Sequence, residues 1–291
     1  MVNGPASDNY DIDLGPFSIS DWYYEGADAI SVRITNPATP GIPGFQGSPP
    51  PSDNILFNGK NINPRGAGGS YQVVTLTPNK KHLLRLINPS VDDTFTVSLN
   101  GHSFEIVAND LVPVTPQTVT SLYLAVGQRY DVIINANQAV GNYWFNVSYS
   151  SAPCGLSNNP RPAAIFRYSG APATNPTAPG TVPPDTHCAD LTSLSPLVVK
   201  TAPISGFTPN SGDTLNVALN INQQQARVFW PVNNSPMNVS WNHPTLEYIK
   251  NGNTASMPST ENVVSIPTGN IVGFMSLIEW ATLTVASGRI G

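Results

Sequence analysis

The side chains best able to bind a metal or act as a nucleophile are few and widely separated in this sequence. The histidines and cysteines are His82, His102, His187, His243, Cys154 and Cys188. No two histidines stand in a His-x-His arrangement, so each imidazole is interpreted as solvated or locally hydrogen-bonded. The pair His187–Cys188 offers one nitrogen and one sulfur ligand, and the two cysteines permit one disulfide.

Other catalytic motifs do not occur. The sequence has no Gly-x-Ser-x-Gly elbow with histidine partners, which a serine hydrolase of that type needs. The stretch Gly66–Gly69 lacks the Lys-Ser/Thr pair and the following helix of a phosphate-binding loop. The aromatic run at residues 22–24 could stack on a sugar ring, but core packing at a strand end is the preferred interpretation.

An acidic pair, Asp92–Asp93, lies just before a strongly patterned segment. Considered by themselves, these residues favour a polar turn, because Asp is common in turns. A carboxylate at such a position can also accept a hydrogen bond from a hydroxyl group and take up its proton.

The elements that must position these residues are strands. Residues 94–99 alternate polar and apolar side chains, which predicts a half-buried strand. Asn100–Gly101 follows and predicts a type I′ hairpin turn into a strand at 102–107. The other predicted elements are a short helix at 26–32 and strands at 53–60 (ending in an Asn-Gly turn), 70–76, 122–126, 127–134, 143–147, 163–168, 215–221 and 227–233. Short strands at this spacing predict an antiparallel sandwich or barrel.

Composition excludes several classes of protein. The net charge is −5 and no basic patch is present, so nucleic-acid binding is not expected. A hydrophobic content of 40% argues against disorder. Glu279 interrupts the apolar run near the end of the chain, and the run is too short to predict a membrane span.

Sequons at Asn146, Asn233 and Asn238 indicate a secreted glycoprotein. The segment that begins at Met1 has neither the basic start nor the apolar run of a signal peptide. These two observations predict that the chain does not start where its parent protein starts.

Longer strings of residues resemble fungal laccases, and the pattern is most similar to the ascomycete branch. The matching strings are 3–7, 10–15, 53–59, 76–88, 124–132, 142–147 and 162–168. Laccases are multicopper oxidases of three cupredoxin domains, which oxidise phenols and reduce dioxygen to water. The resemblance therefore implies an all-β fold, namely a cupredoxin-like Greek-key β-sandwich or barrel with an incomplete second cupredoxin-like region.

The same resemblance predicts the domain organisation. Residues 1–169 correspond to the second, middle cupredoxin domain, and 170–195 form a proline-rich linker pinned by a disulfide. Residues 196–270 correspond to part of the third domain, and 271–291 form a tail outside the family. The chain is thus expected to be a fragment, truncated at both ends, of an extracellular parent. Domains one and three of that parent are expected to pack against it.

Copper is the cofactor that the family implies. A blue copper site needs one Cys thiolate and two His, and the family's copper cluster uses His-x-His pairs of the first and third domains. The resemblance also implies a Cys154–Cys188 disulfide, which removes both thiolates. We therefore expect this chain to bind no copper and to be inactive by itself, although the full-length family binds copper.

The resemblance changes the interpretation of Asp92. In fungal laccases the second domain supplies an acidic side chain beside the phenol pocket, and the matching position here is Asp92. Leu156, within the loop 155–158, is a second candidate wall of that pocket, and phenolic small molecules are the expected ligands. Two alternatives remain. One is a non-enzymatic cupredoxin-like module that binds phenolics or a protein partner, and the other is a carbohydrate-binding module that uses the aromatic residues.

Overall fold

The computed structural model describes the greater part of the chain. The described residues are 8–35, 50–149, 155–184, 186, 188–199, 220–222, 227–229, 231–232, 235–236 and 240–263. The chain forms two compact units, Met1–Lys200 and Thr201–Gly291. The domain boundaries given by the sequence stay predictions.

The first unit is built from eleven described strands and one helix. The helix α1 spans Ala27–Thr35, where the sequence predicts a helix. The strands are β1 (Ile12–Trp22), β2 (Asn54–Phe57), β3 (Val73–Leu76), β4 (Lys81–Ile87), β5 (Phe95–Leu99), β6 (Phe104–Asn109), β7 (Val112–Val119), β8 (Leu122–Leu124), β9 (Arg129–Asn135), β10 (Asn142–Tyr149) and β11 (Ala163–Tyr168).

These strands form two sheets. One has the order β2-β1-β4-β9-β6-β7 and the other the order β3-β11-β10-β5-β8. Both sheets are mixed, because β1 pairs with β4 and β11 pairs with β3 in parallel, while the other strand pairs are antiparallel. The predicted all-β sandwich is confirmed.

Aromatic side chains fill the space between the two sheets. Phe17 of β1 meets Phe145 of β10 edge to face, with ring centroids 5.3 Å apart. Phe145 stacks on Phe166 of β11, also at 5.3 Å, and Phe57 of β2 packs edge-on against Phe145 at 6.1 Å. All four rings are buried, so residues far apart in sequence share one core.

The two Asn-Gly turns have different outcomes. Asn58 and Gly59 both adopt positive φ, and Phe57 and Lys60 exchange both backbone hydrogen bonds across them, as the sequence predicts. The hairpin predicted at Asn100–Gly101 is wrong, because β5 and β6 lie in different sheets. Only Gly101 of that pair has positive φ. The chain therefore crosses from one sheet to the other at this point.

The segment after β11 packs back against strands of both sheets. Ala178 O accepts a hydrogen bond from Trp144 Nε1 at 3.1 Å. Further along, Tyr130 Oη donates to Asp190 Oδ1 at 3.2 Å, and Ser195 O accepts from the backbone N–H of Thr115 at 2.9 Å. The last contact covers part of the exposed edge of β7.

The described part of the second unit contains only short elements. These are β12 (Asn220–Asn222), β13 (Arg227–Phe229), β14 (Pro231–Val232), β15 (Ser235–Pro236), the helix α2 (Thr245–Lys250) and 3-10 turns at Thr254–Ser256 and Ser259–Glu261. β12 pairs with β13 and β14 with β15, both antiparallel. β12, β13 and β14 fall at the ends of the two predicted strands, and β15 lies beyond them. The predicted tail at 271–291 lies outside the described residues.

Candidate functional site

The turn that carries Asp92 connects β4 to β5 and is held by a carboxylate from another strand. Asp21, near the end of β1, accepts hydrogen bonds from three successive backbone N–H groups. Its Oδ1 lies 3.0 Å from Val91 N, and its Oδ2 lies 2.8 Å from Asp92 N and 3.2 Å from Asp93 N. Ser90 Oγ in turn accepts from Asp21 N at 3.0 Å. The backbone of the turn at Asp92 is therefore held in place by Asp21.

The side chain of Asp92 is only half-buried, which leaves it accessible to a ligand. Its pKa is raised, first because burial disfavours the charged form and second because the Asp21 carboxylate adds a like charge nearby. A carboxylate with a raised pKa is a better proton acceptor than a free aspartate.

The neighbouring Asp93 is fully buried, unlike the polar turn residue that sequence alone favours. Its Oδ2 accepts from Ser52 Oγ at 2.6 Å and its Oδ1 accepts from Leu156 N at 2.9 Å. Burial raises its pKa to about 7, the Ser52 hydrogen bond opposes that rise, and Asp21 and Asp92 add to it.

The loop that contains Leu156 lies next to this turn. Ser52 N donates to Leu156 O at 2.8 Å, and Asn158 N donates to Ser52 O at 2.7 Å. Together with the contact of Leu156 N to Asp93, these bonds bring Leu156 and the Asp92 turn into one region. Sequence analysis names both residues, and the structure places them on adjoining segments.

Two tyrosines face the same carboxylates. The Tyr23 hydroxyl is buried without a hydrogen bond of ordinary geometry, although the Asp21 carboxylate lies beside it. Burial and the charges of Asp21, Asp93 and Asp92 raise the pKa of Tyr23. The pKa of Tyr149 is raised by burial and by Asp93. The sequence predicts core packing for Tyr23, and its place beside the acidic residues is visible only in the folded chain.

The imidazoles are engaged in protein contacts. His82 is buried, and its Nε2 accepts from the backbone N–H of Thr77 at 3.0 Å. His102 Nδ1 donates to the carbonyl of Asn100 at 2.8 Å, so its Nε2 accepts from Tyr168 Oη at 2.6 Å. His243 is exposed beside Glu247, and His187 lies outside the described residues.

These contacts do not fit a copper site. A blue site needs a thiolate and two imidazole nitrogens with free lone pairs. Cys188 is disulfide-bonded, and the Nε2 atoms of His82 and His102 already accept hydrogen bonds. Among the described residues no group of three His, Cys, Asp or Glu side chains could hold a metal ion.

The remaining candidate modifications stay predictions. Cys154, the proposed partner of Cys188, lies outside the described residues, as do Asn233 and Asn238. Asn146 is buried and its Nδ2 donates to Asn100 Oδ1 at 2.6 Å. The same Nδ2 also donates to Trp144 O at 3.3 Å, so a glycan, which leaves one N–H, requires one of these two contacts to open.

A separate cavity of about 370 Å³ lies under the segment 176–182. Its walls include Tyr71 and Trp144, whose rings meet edge to face at 5.0 Å, and the exposed Arg161. Neither Asp92 nor Leu156 lines it. Across the described stretches of chain, no helix has the length and apolar character that a bilayer crossing requires.

Comparison with known proteins defines the class. A family model described as multicopper oxidase matches residues 13–171, and the chain belongs to that family. Laccase-2 of Podospora anserina is 48% identical over 271 residues, which are 93% of this chain and 42% of that protein. The laccase of Neurospora crassa is 47% identical over 267 residues, covering 91% of this chain and 40% of its own length.

A solved structure supports the same assignment. The crystal structure of laccase from Botrytis aclada matches with a TM-score of 0.67 and 30% identity, over 90% of this chain and 47% of that one. The cupredoxin fold implied by the sequence is therefore confirmed. The chain spans about two fifths of the length of the two curated laccases above.

Proposed function

We propose that this chain is the substrate-side portion of a laccase-type multicopper oxidase. The observation that carries the proposal is Asp92, a half-buried carboxylate with a raised pKa on a turn fixed by Asp21. Membership of the multicopper oxidase family and the similarity to laccases support it. On this proposal phenols are the substrates and dioxygen is the final electron acceptor of the whole protein.

The chemistry proposed for this chain is proton acceptance. A phenol hydroxyl donates a hydrogen bond to the Asp92 carboxylate, and the O–H bond breaks as one electron leaves the ring. Asp92 takes the proton, so the products are a neutral phenoxyl radical and a protonated carboxyl rather than a high-energy radical cation. Copper would accept the electron in the complete enzyme, with ligands other than the described residues, so the role proposed here ends at proton transfer.

Two exposed apolar side chains beside the site support the proposal that other domains pack against this chain. Val91 is 81% exposed and Trp22 is 49% exposed, and both flank the contact between Asp21 and the Asp92 turn. Exposed apolar groups next to a polar site are typical of interaction surfaces. We assign this surface to domains one and three of an extracellular parent protein that is stapled by a Cys154–Cys188 disulfide.

Binding of a phenol to the full chain tests the role of Asp92. Isothermal titration with 2,6-dimethoxyphenol at pH 6 is expected to show weak binding. The substitution Asp92→Asn removes the charged acceptor, so we expect about tenfold weaker binding, which corresponds to about 1.4 kcal/mol.

Asp28→Asn is the matched control, because Asp28 is an exposed carboxylate in the first turn of α1. It is expected to leave the affinity unchanged. Equal losses in the two variants would show a general charge effect and would remove Asp92 from the proposed site.

A further inference from the structure

The carboxylate of Asp93 has no part in the chemistry proposed above, yet both of its oxygens accept hydrogen bonds from other segments of the chain. It is fully buried and lies between segments that are far apart in sequence. Its backbone N–H donates to Asp21 and its backbone O accepts from Asn88 Nδ2 at 3.0 Å. The main chain at Asp93 is thus fixed independently of its side chain.

The side chain of Asp93 reaches in a different direction. One oxygen accepts from Ser52 Oγ at 2.6 Å, and the other accepts from Leu156 N at 2.9 Å. Ser52 and Leu156 also bond to each other through their backbones, at 2.8 Å. The carboxylate therefore joins the Asp92 turn to the loop at residues 155–158 and to the segment before β2.

The packing around this contact is tight. A Cβ atom on Gly155 would lie 2.6 Å from Asp93 Oδ1 and 3.0 Å from Asp93 Cα, and Gly155 has a φ of +139°. Only a residue without a side chain lets the loop approach Asp93 so closely. The loop therefore packs directly on Asp93.

We propose that Asp93 is a positioning residue, whose buried carboxylate holds the Gly155–Asn158 loop against the turn that carries Asp92 and so sets the width of the phenol site. The inference rests on the proposed function, because it concerns the same site. It assigns no contact between Asp93 and the substrate.

The charge state of Asp93 can change without loss of this geometry. The groups that face it are the carboxylates of Asp21 and Asp92 and the hydroxyls of Tyr23 and Tyr149. Burial, together with the charges of the two carboxylates, raises the pKa of Asp93 to about 7. The ionised form accepts from Ser52 and from Leu156. The protonated form donates to Ser52 Oγ and still accepts from Leu156 N.

This chemistry distinguishes two substitutions. In Asp93→Asn the amide oxygen can accept from Leu156 N while the amide nitrogen donates to Ser52 Oγ, so both contacts persist. In Asp93→Ala both are lost and a buried N–H is left without a partner. A positioning role therefore predicts rescue by asparagine but not by alanine.

The test uses the full chain, with titration by 2,6-dimethoxyphenol and with hydrogen exchange of the Leu156 amide followed by NMR. Asp93→Ala is expected to weaken phenol binding at least about tenfold and to accelerate exchange at Leu156 by about a hundredfold. Asp93→Asn is expected to restore both values to within about threefold of the unsubstituted chain. The Leu156 amide shift should titrate near pH 7 in the unsubstituted chain and not in Asp93→Asn.

The outcomes separate this inference from the proposed function. If Asp93→Ala binds phenol and protects Leu156 as well as the unsubstituted chain does, the positioning role is wrong while the role of Asp92 stands. If the unsubstituted chain binds no phenol, the proposed site fails, and exchange at Leu156 alone decides whether Asp93 holds the loop.

Should Asp93→Ala not fold, Ser52→Ala removes one of the two contacts. Unchanged exchange at Leu156 in that variant, together with fast exchange in Asp93→Asn, would overturn the inference.

Discussion

Asp92 and Asp93 are adjacent in sequence but lie in different surroundings. The half-buried Asp92 can meet a ligand, whereas Asp93 is enclosed by Ser52 and the backbone of Leu156. Burial raises the pKa of each carboxyl, and more strongly for Asp93 because it has no contact with solvent. On the proposed function, Asp92 is therefore the proton acceptor and Asp93 the structural contact.

The raised pKa of Asp93 predicts a pH-dependent stability. The folded chain keeps the Asp93 proton up to about pH 7, whereas the unfolded chain releases it near the ordinary value of 3.8. The folded state thus binds more protons between these values, and the free energy of unfolding falls as pH rises from about 4 to about 7. In urea unfolding, the unsubstituted chain should lose on the order of 4 kcal/mol of stability relative to Asp93→Asn as the pH rises over this range. A difference independent of pH would contradict the assignment.

At this scale the sequence supplies one candidate for the proposed site. Asp92 comes from the resemblance to the acidic position of laccases, and its role stays a prediction. The burial of Asp93 and the contacts of Asp21 are not predicted, because they arise from segments near residues 21, 52 and 156 that meet only in the folded chain. No local pattern distinguishes a buried Asp from a solvated Asp in a turn.

At the scale of elements, the site depends on how closely a loop approaches a turn. Gly155 allows this approach because it has no side chain and a positive φ. The loop then bonds to Ser52 in the manner of a short parallel bridge at Ser52 and Ser157. The two walls of the proposed site therefore come from separate connections of the sandwich.

The substitution Gly155→Ala is expected to destabilise the chain by about 2 kcal/mol, because the new methyl group overlaps Asp93 and the φ angle is strained. Thermal unfolding measures the loss. Gly26→Ala is the control, since nothing lies within 4 Å of its Cβ position and its φ is not in the left-handed region. A loss no larger than that of the control would show that the loop does not pack on Asp93 in this way.

The sheet elements show what local patterns can predict. The Asn58–Gly59 turn forms as predicted because the strand and the turn are both local features. The same dipeptide at Asn100–Gly101 predicts a hairpin that does not form. There β5 pairs with β8 and β10, whereas β6 pairs with β7 and β9. Pairing is set by the two-sheet topology, which the alternation of side chains does not encode.

At the scale of the whole molecule, the proposed docking surface consists of exposed apolar groups beside the Asp92 turn. Val91 and Trp22 are exposed and do not belong to the sandwich core, which is filled by the aromatic cluster between the sheets. In the proposed parent protein this surface would be covered by neighbouring domains.

Dye binding tests this assignment. The double substitution Trp22→Ser and Val91→Ser should lower the fluorescence of 1-anilinonaphthalene-8-sulfonate bound to the chain by roughly half, because it removes adjacent apolar area. The control is the double substitution Leu111→Ser and Val140→Ser, which alters exposed apolar residues on two other loops. A similar decrease in both proteins would show that the surface beside Asp92 binds the dye no better than other exposed apolar residues, and would contradict its assignment as a docking surface.

The most direct test of the central claim is to compare a phenol with its methyl ether. Amide chemical shifts of the full chain would be followed during titration with 2,6-dimethoxyphenol and with 1,2,3-trimethoxybenzene, which lacks the O–H donor. We predict that only the phenol shifts the amides of Val91, Asp92 and Leu156, and that Asp92→Asn moves the midpoint of these shifts to about tenfold higher phenol concentration. Equal shifts with the ether, or shifts confined to the cavity beside Trp144, would contradict it.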